Sequence, residues 1–140
     1  MKNDMLEDFS PTSEVVTADK LTFKLPITAL PASSRKKLSG NLKDAVKCRD
    51  GKILGTKKKA FKQRYLIPVI QENDRLESVL IEYQPMQPDR AKYAFRLEFN
   101  PNKLGVAGCK VVRTIFKEVF SDEFVRLASE LVITDVDWCI

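Results

Sequence analysis

The stretch that most constrains this chain is the one where its apolar period changes. From Ala91 to Asn100, Tyr93, Phe95, Leu97 and Phe99 face one way, and Lys92, Arg96 and Glu98 face the other. A period of two marks a β-strand with one buried face. Asn100-Pro101-Asn102 ends it. From Gly105 to Glu130 the apolar residues Val112, Ile115, Phe116, Val119, Phe120, Phe124 and Leu127 then recur at helical spacing. Ser121-Asp122-Glu123 offers a break into two helices. Leu131 to Ile140 returns to a strand pattern, with Val132, Thr134 and Val136 on one side. A strand, a helix with a broad apolar stripe and a second strand are satisfied together when the helix lies on a sheet.

The first half of the chain repeats the alternation. Asp19 to Ile27 is a half-buried strand in which Leu21, Phe23 and Leu25 alternate with Thr22 and Lys24, limited near its end by Pro26. Pro31-Ala32-Ser33-Ser34 opens a helix, with serine expected as the cap. Leu38, Leu42, Ala45 and Val46 form its apolar stripe, and Asp50-Gly51 is a turn. Ile53 to Lys62 reads equally as strand or basic loop. Arg64 to Gln71 is a strand in which Pro68 asks for an edge or a bulge. Glu72-Asn73-Asp74 is a hairpin turn, Leu76 to Tyr83 the return strand, and Pro85 to Arg90 a loop. Strands grouped between two helices imply an α+β fold: an antiparallel sheet with two main helices on one face, ferredoxin- or RRM-like and enlarged by a hairpin. Residues 1–17, polar and without a period, read as a flexible N-terminal arm before a single domain over 18–140.

Charge is unevenly spread. Between Arg35 and Arg64 stand twelve cationic residues and two acids, Asp44 and Asp50, a net of +10 in a chain whose total is +5. Such asymmetry favours a polyanionic partner, although a solvated lysine face that aids solubility has the same composition. The nucleic-acid-binding candidates are Arg35, Lys36, Lys37, Lys43, Lys47, Lys57, Lys58, Lys59, Lys62 and Arg64. Phe61 and Tyr65 lie among them, as stacking partners for unpaired bases or as core anchors.

Histidine is absent, which removes the commonest general base and a common metal ligand. Cys48, Cys109 and Cys139 are odd in number and widely spaced, against a disulfide framework or a zinc knot. No Walker loop, GxGxxG or zinc spacing occurs. Glu98, Asp135 and Asp137 would share a sheet face if their strands were neighbours, and carboxylates gathered there would suit Mg²⁺ or Mn²⁺. The alternative is ion pairing with Lys92 or Arg96. Otherwise no cofactor is expected. No apolar run approaches the roughly 20 residues of a membrane span. The acidic start lacks the apolar core of a signal peptide. A cytoplasmic protein without membrane partners is therefore expected.

Three stretches carry a family resemblance. Asp19-Lys20-Leu21-Thr22-Phe23-Lys24-Leu25-Pro26-Ile27 resembles the opening strand of rolling-circle replication initiators of plasmids and filamentous phages. Phe95 to Gly105, FRLEFNPNKLG, is similar to an internal strand of the phage-type proteins, and Val132-Ile133-Thr134-Asp135-Val136-Asp137 to their metal-binding "T-R-I-D" strand. The resemblance implies an RRM-like sheet with DNA across one face, Asp137 as a metal ligand and Glu98 as a looser match. Asp135 stands where the family has Arg, and the family's His-hydrophobic-His motif is missing. The family's catalytic tyrosine lies beyond that last strand, so the chain to Ile140 is expected to correspond to the front half of an initiator, without the catalytic half. The leading expectation is a DNA-binding domain for an origin, hairpin or single strand, with no complete active site of its own. The alternatives are a mobile-element inhibitor of a host nucleoprotein defence complex, of the anti-CRISPR kind, and a metal-dependent DNA nicking enzyme. Homodimerisation through a sheet edge is a further expectation.

Overall fold

The computed structural model describes residues 18–57, 59–72 and 75–138. The expected arm over residues 1–17, Lys58, the turn residues Asn73 and Asp74, and Cys139 lie outside them. The order is β1 (Ala18–Pro26), a 3-10 turn (Ile27–Ala29), α1 (Ala32–Cys48), β2 (Lys52–Ile53), β3 (Phe61–Glu72), β4 (Arg75–Pro85), β5 (Tyr93–Phe99), α2 (Pro101–Phe120), a 3-10 turn (Ser121–Glu123), α3 (Phe124–Glu130) and β6 (Val132–Trp138). The six strands form one sheet in the order β2-β3-β4-β5-β1-β6, antiparallel at every pairing. β1 sits between β5 and β6, which α2 and α3 connect. This is the split βαβ of a ferredoxin-like fold, and the β3–β4 hairpin extends the sheet.

Both main helices pack on one face. Leu21, Phe23 and Leu25 of β1, Val79, Ile81 and Tyr83 of β4, and Phe95, Leu97 and Phe99 of β5 meet Leu38 and Leu42 of α1 and Val112, Ile115, Phe116, Val119 and Phe120 of α2. The seam is aromatic. Phe116 lies edge-on to Phe23, with ring centroids 5.9 Å apart, and within 5.5 Å of Phe120. Phe120 in turn packs on Phe95 at 5.4 Å. Among the described residues the opposite face of the sheet carries no helix, so the polar positions of each strand form an open surface.

The termini of the elements follow local chemistry. The expected serine cap of α1 is not made: Pro31 occupies the N-cap without a side-chain bond. Ser34 instead donates its hydroxyl hydrogen to Glu123 at 3.0 Å, tying α1 to the turn after α2. The helix ends at Cys48, and beyond it Asp50 takes φ 55° and the Gly51 amide donates to Val46 O at 2.7 Å. A Cβ at Gly51 would lie 2.8 Å from the Val46 side chain, so only glycine fits there. The second helix begins earlier than its apolar spacing predicts, because Asn100 accepts from the Lys103 amide at 3.0 Å and Pro101 takes the first turn. Gly105, at φ 69° and ψ −175°, then kinks it. The break at Ser121–Glu123 is present. The ambiguous stretch after Asp50 pairs only at Lys52–Ile53. β2 therefore reaches only Tyr65 and Leu66 of β3, leaving Pro68 beyond its ladder. On the other side the β3–β4 register shifts between Pro68 and Ile70. No helix among the described residues is long and apolar enough to cross a membrane.

Candidate nucleic-acid interface

Cross-strand register builds a row of charged side chains on the open face. Arg64, Glu82 and Arg96 are partners across β3, β4 and β5, and Lys24 continues the row on β1. Glu82, only 7% exposed, accepts from Arg64 Nε at 2.6 Å and from Arg96 Nη1 at 3.0 Å. Arg96 also bonds Glu98, which lies 3.9 Å from Lys20 Nζ. Paired and mostly desolvated in this way, the central charges are held in fixed positions.

One end of this face opens into a cleft of about 430 Å³. Lys24, Lys59, Arg90, Lys92 and Arg96 line it, with Phe61, Met86 and Tyr93, and among the described residues no carboxylate belongs to its lining. Lys24 Nζ stands 5.2 Å from the centre of the Tyr93 ring, a cation–π contact. These residues are far apart in sequence and converge for a topological reason. Antiparallel pairing sets the start of β3 beside the end of β4, with Phe61 opposite Pro85, and Met86 N donates to Ala60 O at 2.8 Å. The loop before β3 and the loop after β4 thus lie side by side, and β5 and the end of β1 complete the walls. Gln84, at φ 61°, turns the chain where the loop begins. A separate, smaller hollow of about 130 Å³, which shares Pro85 with the cleft, is lined by Arg35, Lys62 and Tyr83 among others.

The structure divides the basic segment. Lys57, Lys59 and Lys62 are exposed near the cleft end, and Arg64 is engaged with Glu82. Lys36, Lys43 and Lys47 project from the solvent side of α1, in the helix layer. Other cations of the segment are already engaged: Lys37 pairs with Asp122 at 2.6 Å, Arg49, just past α1, with Glu118 at 2.5 Å, and Arg35 Nε donates to the nearby Leu30 O at 2.8 Å. Lys58 is outside the described residues. The cations that line the cleft from β1 and the β4–β5 loop, Lys24, Arg90 and Lys92, fall outside the segment that sequence clustering picks out. A cluster counted along the chain cannot find them, because they meet only through strand pairing.

The carboxylates take different positions. Glu98 and Asp135 both pair with Thr22 of β1 from opposite sides, so a whole strand separates them, about 10 Å at ordinary strand spacing. Glu98 is tied to Arg96 and Lys20. Asp137 pairs with Lys20 in register, and its side chain is outside the described set. Among the described residues no three metal-ligating side chains gather.

Tyr65 and Tyr83 belong to the core. Burial raises the Tyr65 phenol, and it pushes that of Tyr83, which donates to Arg35 O at 3.0 Å, up to about 12. Phe61 is buried but stands apart from the main core, as a wall of the cleft. The cleft therefore offers charge and an aromatic face for binding an anion with a planar group, and its lining among the described residues has no thiol or carboxylate to move a proton.

No family model matches the chain, and no curated protein or solved structure matches it.

Proposed function

We propose that this chain is a DNA-binding domain, related to mobile-element replication initiators, that seats an unpaired stretch of DNA in the cleft at the end of its open sheet face. One observation carries the reading: five cations converge on a single concavity beside the Tyr93 ring, with no acid in its lining among the described residues. Phosphates would meet the lysines and arginines, and a base would lie against Tyr93 or Phe61. The cleft is of small-molecule size, too small to enclose a duplex, whereas one nucleotide unit fits it. Exposed Lys57, on the loop before β3, and Lys62, at the start of β3, would extend the track beyond the cleft.

The test is a titration of labelled single-stranded, hairpin and duplex DNA across a salt series. Binding should weaken steeply with salt, with single strand and hairpin ahead of duplex. Lys24→Gln and Lys92→Gln should each lower the slope by about 0.7, the value for one phosphate contact on a single strand. Tyr93→Ala should cost ~1–3 kcal/mol of affinity, and Tyr93→Phe little. Absence of binding at low salt would refute the reading and direct attention to an acidic protein partner.

A further inference from the structure

We propose that Glu82 is a positioning residue for this binding: its carboxylate aims Arg96 into the cleft and, through Arg64, holds the lysine-bearing loop beside it. The inference rests on the nucleic-acid reading above and adds how the site is organised. Glu82 lies between two arginines in register, and each carboxylate oxygen takes one of them. Both guanidinium groups are largely desolvated, with side chains 14% and 20% exposed. Arg64 reaches further. Its Nη1 donates to Gly55 O at 2.8 Å, and its own carbonyl accepts from Leu54 N at 2.8 Å. Arg64 thereby staples β3 to the loop that carries Lys57 and Lys59. On the other side of Glu82, Arg96 forms part of the cleft wall.

An arginine without such an anchor samples many rotamers, and ordering it on a ligand costs conformational entropy. Glu82 orders Arg64 and, together with Glu98, Arg96, and through Arg64 it orders a loop before any ligand arrives. Charge counting makes the opposite claim, since a carboxylate behind a cationic cleft repels phosphate. The sign of the effect therefore separates the two accounts.

The experiment titrates a labelled oligothymidylate with the parent chain, Glu82→Gln and Arg64→Lys over a salt series, with a thermal melt to establish folding. Glutamine keeps the shape but turns one arm toward a guanidinium as a donor. Glu82→Gln should raise Kd about tenfold, within the range of coupled charge networks. Its salt slope should become shallower by about 0.7 for each phosphate that the misaligned cations no longer reach. Arg64→Lys preserves net charge but lacks the fork that bridges Glu82 and Gly55, so it should weaken binding as well. It decides the matter if Glu82→Gln does not fold. Equal or tighter binding by folded Glu82→Gln, or by Arg64→Lys in that case, overturns the proposal while leaving the nucleic-acid reading intact. Failure of the parent chain to bind overturns both.

Discussion

Thr22 offers a sharp test of the packing described above. It sits in the middle of β1, paired with Glu98 on one side and Asp135 on the other, and it is fully buried. Its hydroxyl has no hydrogen-bond partner among the described residues. Valine has nearly the same shape and the same preference for strands, so Thr22→Val exchanges an unsatisfied hydroxyl for a methyl group in an unchanged space. A buried polar group without a partner costs about 1–3 kcal/mol in mutational series, and the added methyl contributes a further fraction of the ~0.8 kcal/mol assigned to a buried carbon. Allowing for imperfect fit, the variant should gain ~1–2 kcal/mol, which for a domain of this size raises Tm by about 3–8 °C. Thr22→Ser is the control: it keeps the hydroxyl and deletes the methyl, and should lose about 1 kcal/mol. Thermal and urea melts of the three proteins should rank them valine, threonine, serine. A valine variant that melts below the parent would refute the argument, since the hydroxyl would then have to be bonded in solution.

Three further outcomes follow from other parts of the molecule. Gly105→Ala introduces no clash, because nothing lies within 4 Å of the added carbon, yet it forces an L-residue to φ 69°; a loss of about 1–3 kcal/mol in urea melts is expected, and an unchanged stability would show that the kink relaxes. Burial pushes the Cys109 thiol up to about 11 and shields it, so a thiol-alkylating reagent at mildly alkaline pH should label exposed Cys48 in the folded chain and reach Cys109 only in denaturant, as read by peptide mass spectrometry. The hydrogen bond and charge of Lys37 hold Asp122 below its ordinary 3.8, and hydrogen bonds from Arg126 and Ser34 hold Glu123 below 4.5. Depressed folded values stabilise fully above those ordinary values and lose the effect as pH falls through the lowered ones; Tm should therefore drop below about pH 4, and Asp122→Asn with Glu123→Gln should flatten that acid limb.

Much of the fold is legible in the sequence because it depends on local period. The alternation of Phe95, Leu97 and Phe99 and the helical spacing of Val112, Ile115, Phe116, Val119 and Phe120 each put one apolar face on one element, and all eight are buried. Pro68 correctly marks a place where regular pairing fails. The departures are local competitions. The Ser33-Ser34 pair predicts a cap for α1, but the hydroxyl at position 34 serves a contact 89 residues away. Asn100-Pro101 reads along the chain only as the end of a strand, although it carries the cap and first turn of α2.

The candidate site is legible only in part. Sequence clustering finds the loop lysines and Arg64, because they follow one another along the chain. It does not single out Lys24, Arg90, Lys92 or Glu82. Charges that neutralise or reinforce one another do so over a few ångströms, and which ones come that close is fixed by strand order and register. By itself, the sequence determined which face of each strand and helix is apolar, and so that two helices must cover one side of an antiparallel sheet. The tertiary structure decided that β3, β4, β5 and β1 align Arg64, Glu82, Arg96 and Lys24 in one row, and that two loops close a cationic cleft at its end. Periodicity is a property of neighbours in the chain, whereas that row and cleft are properties of neighbours in space.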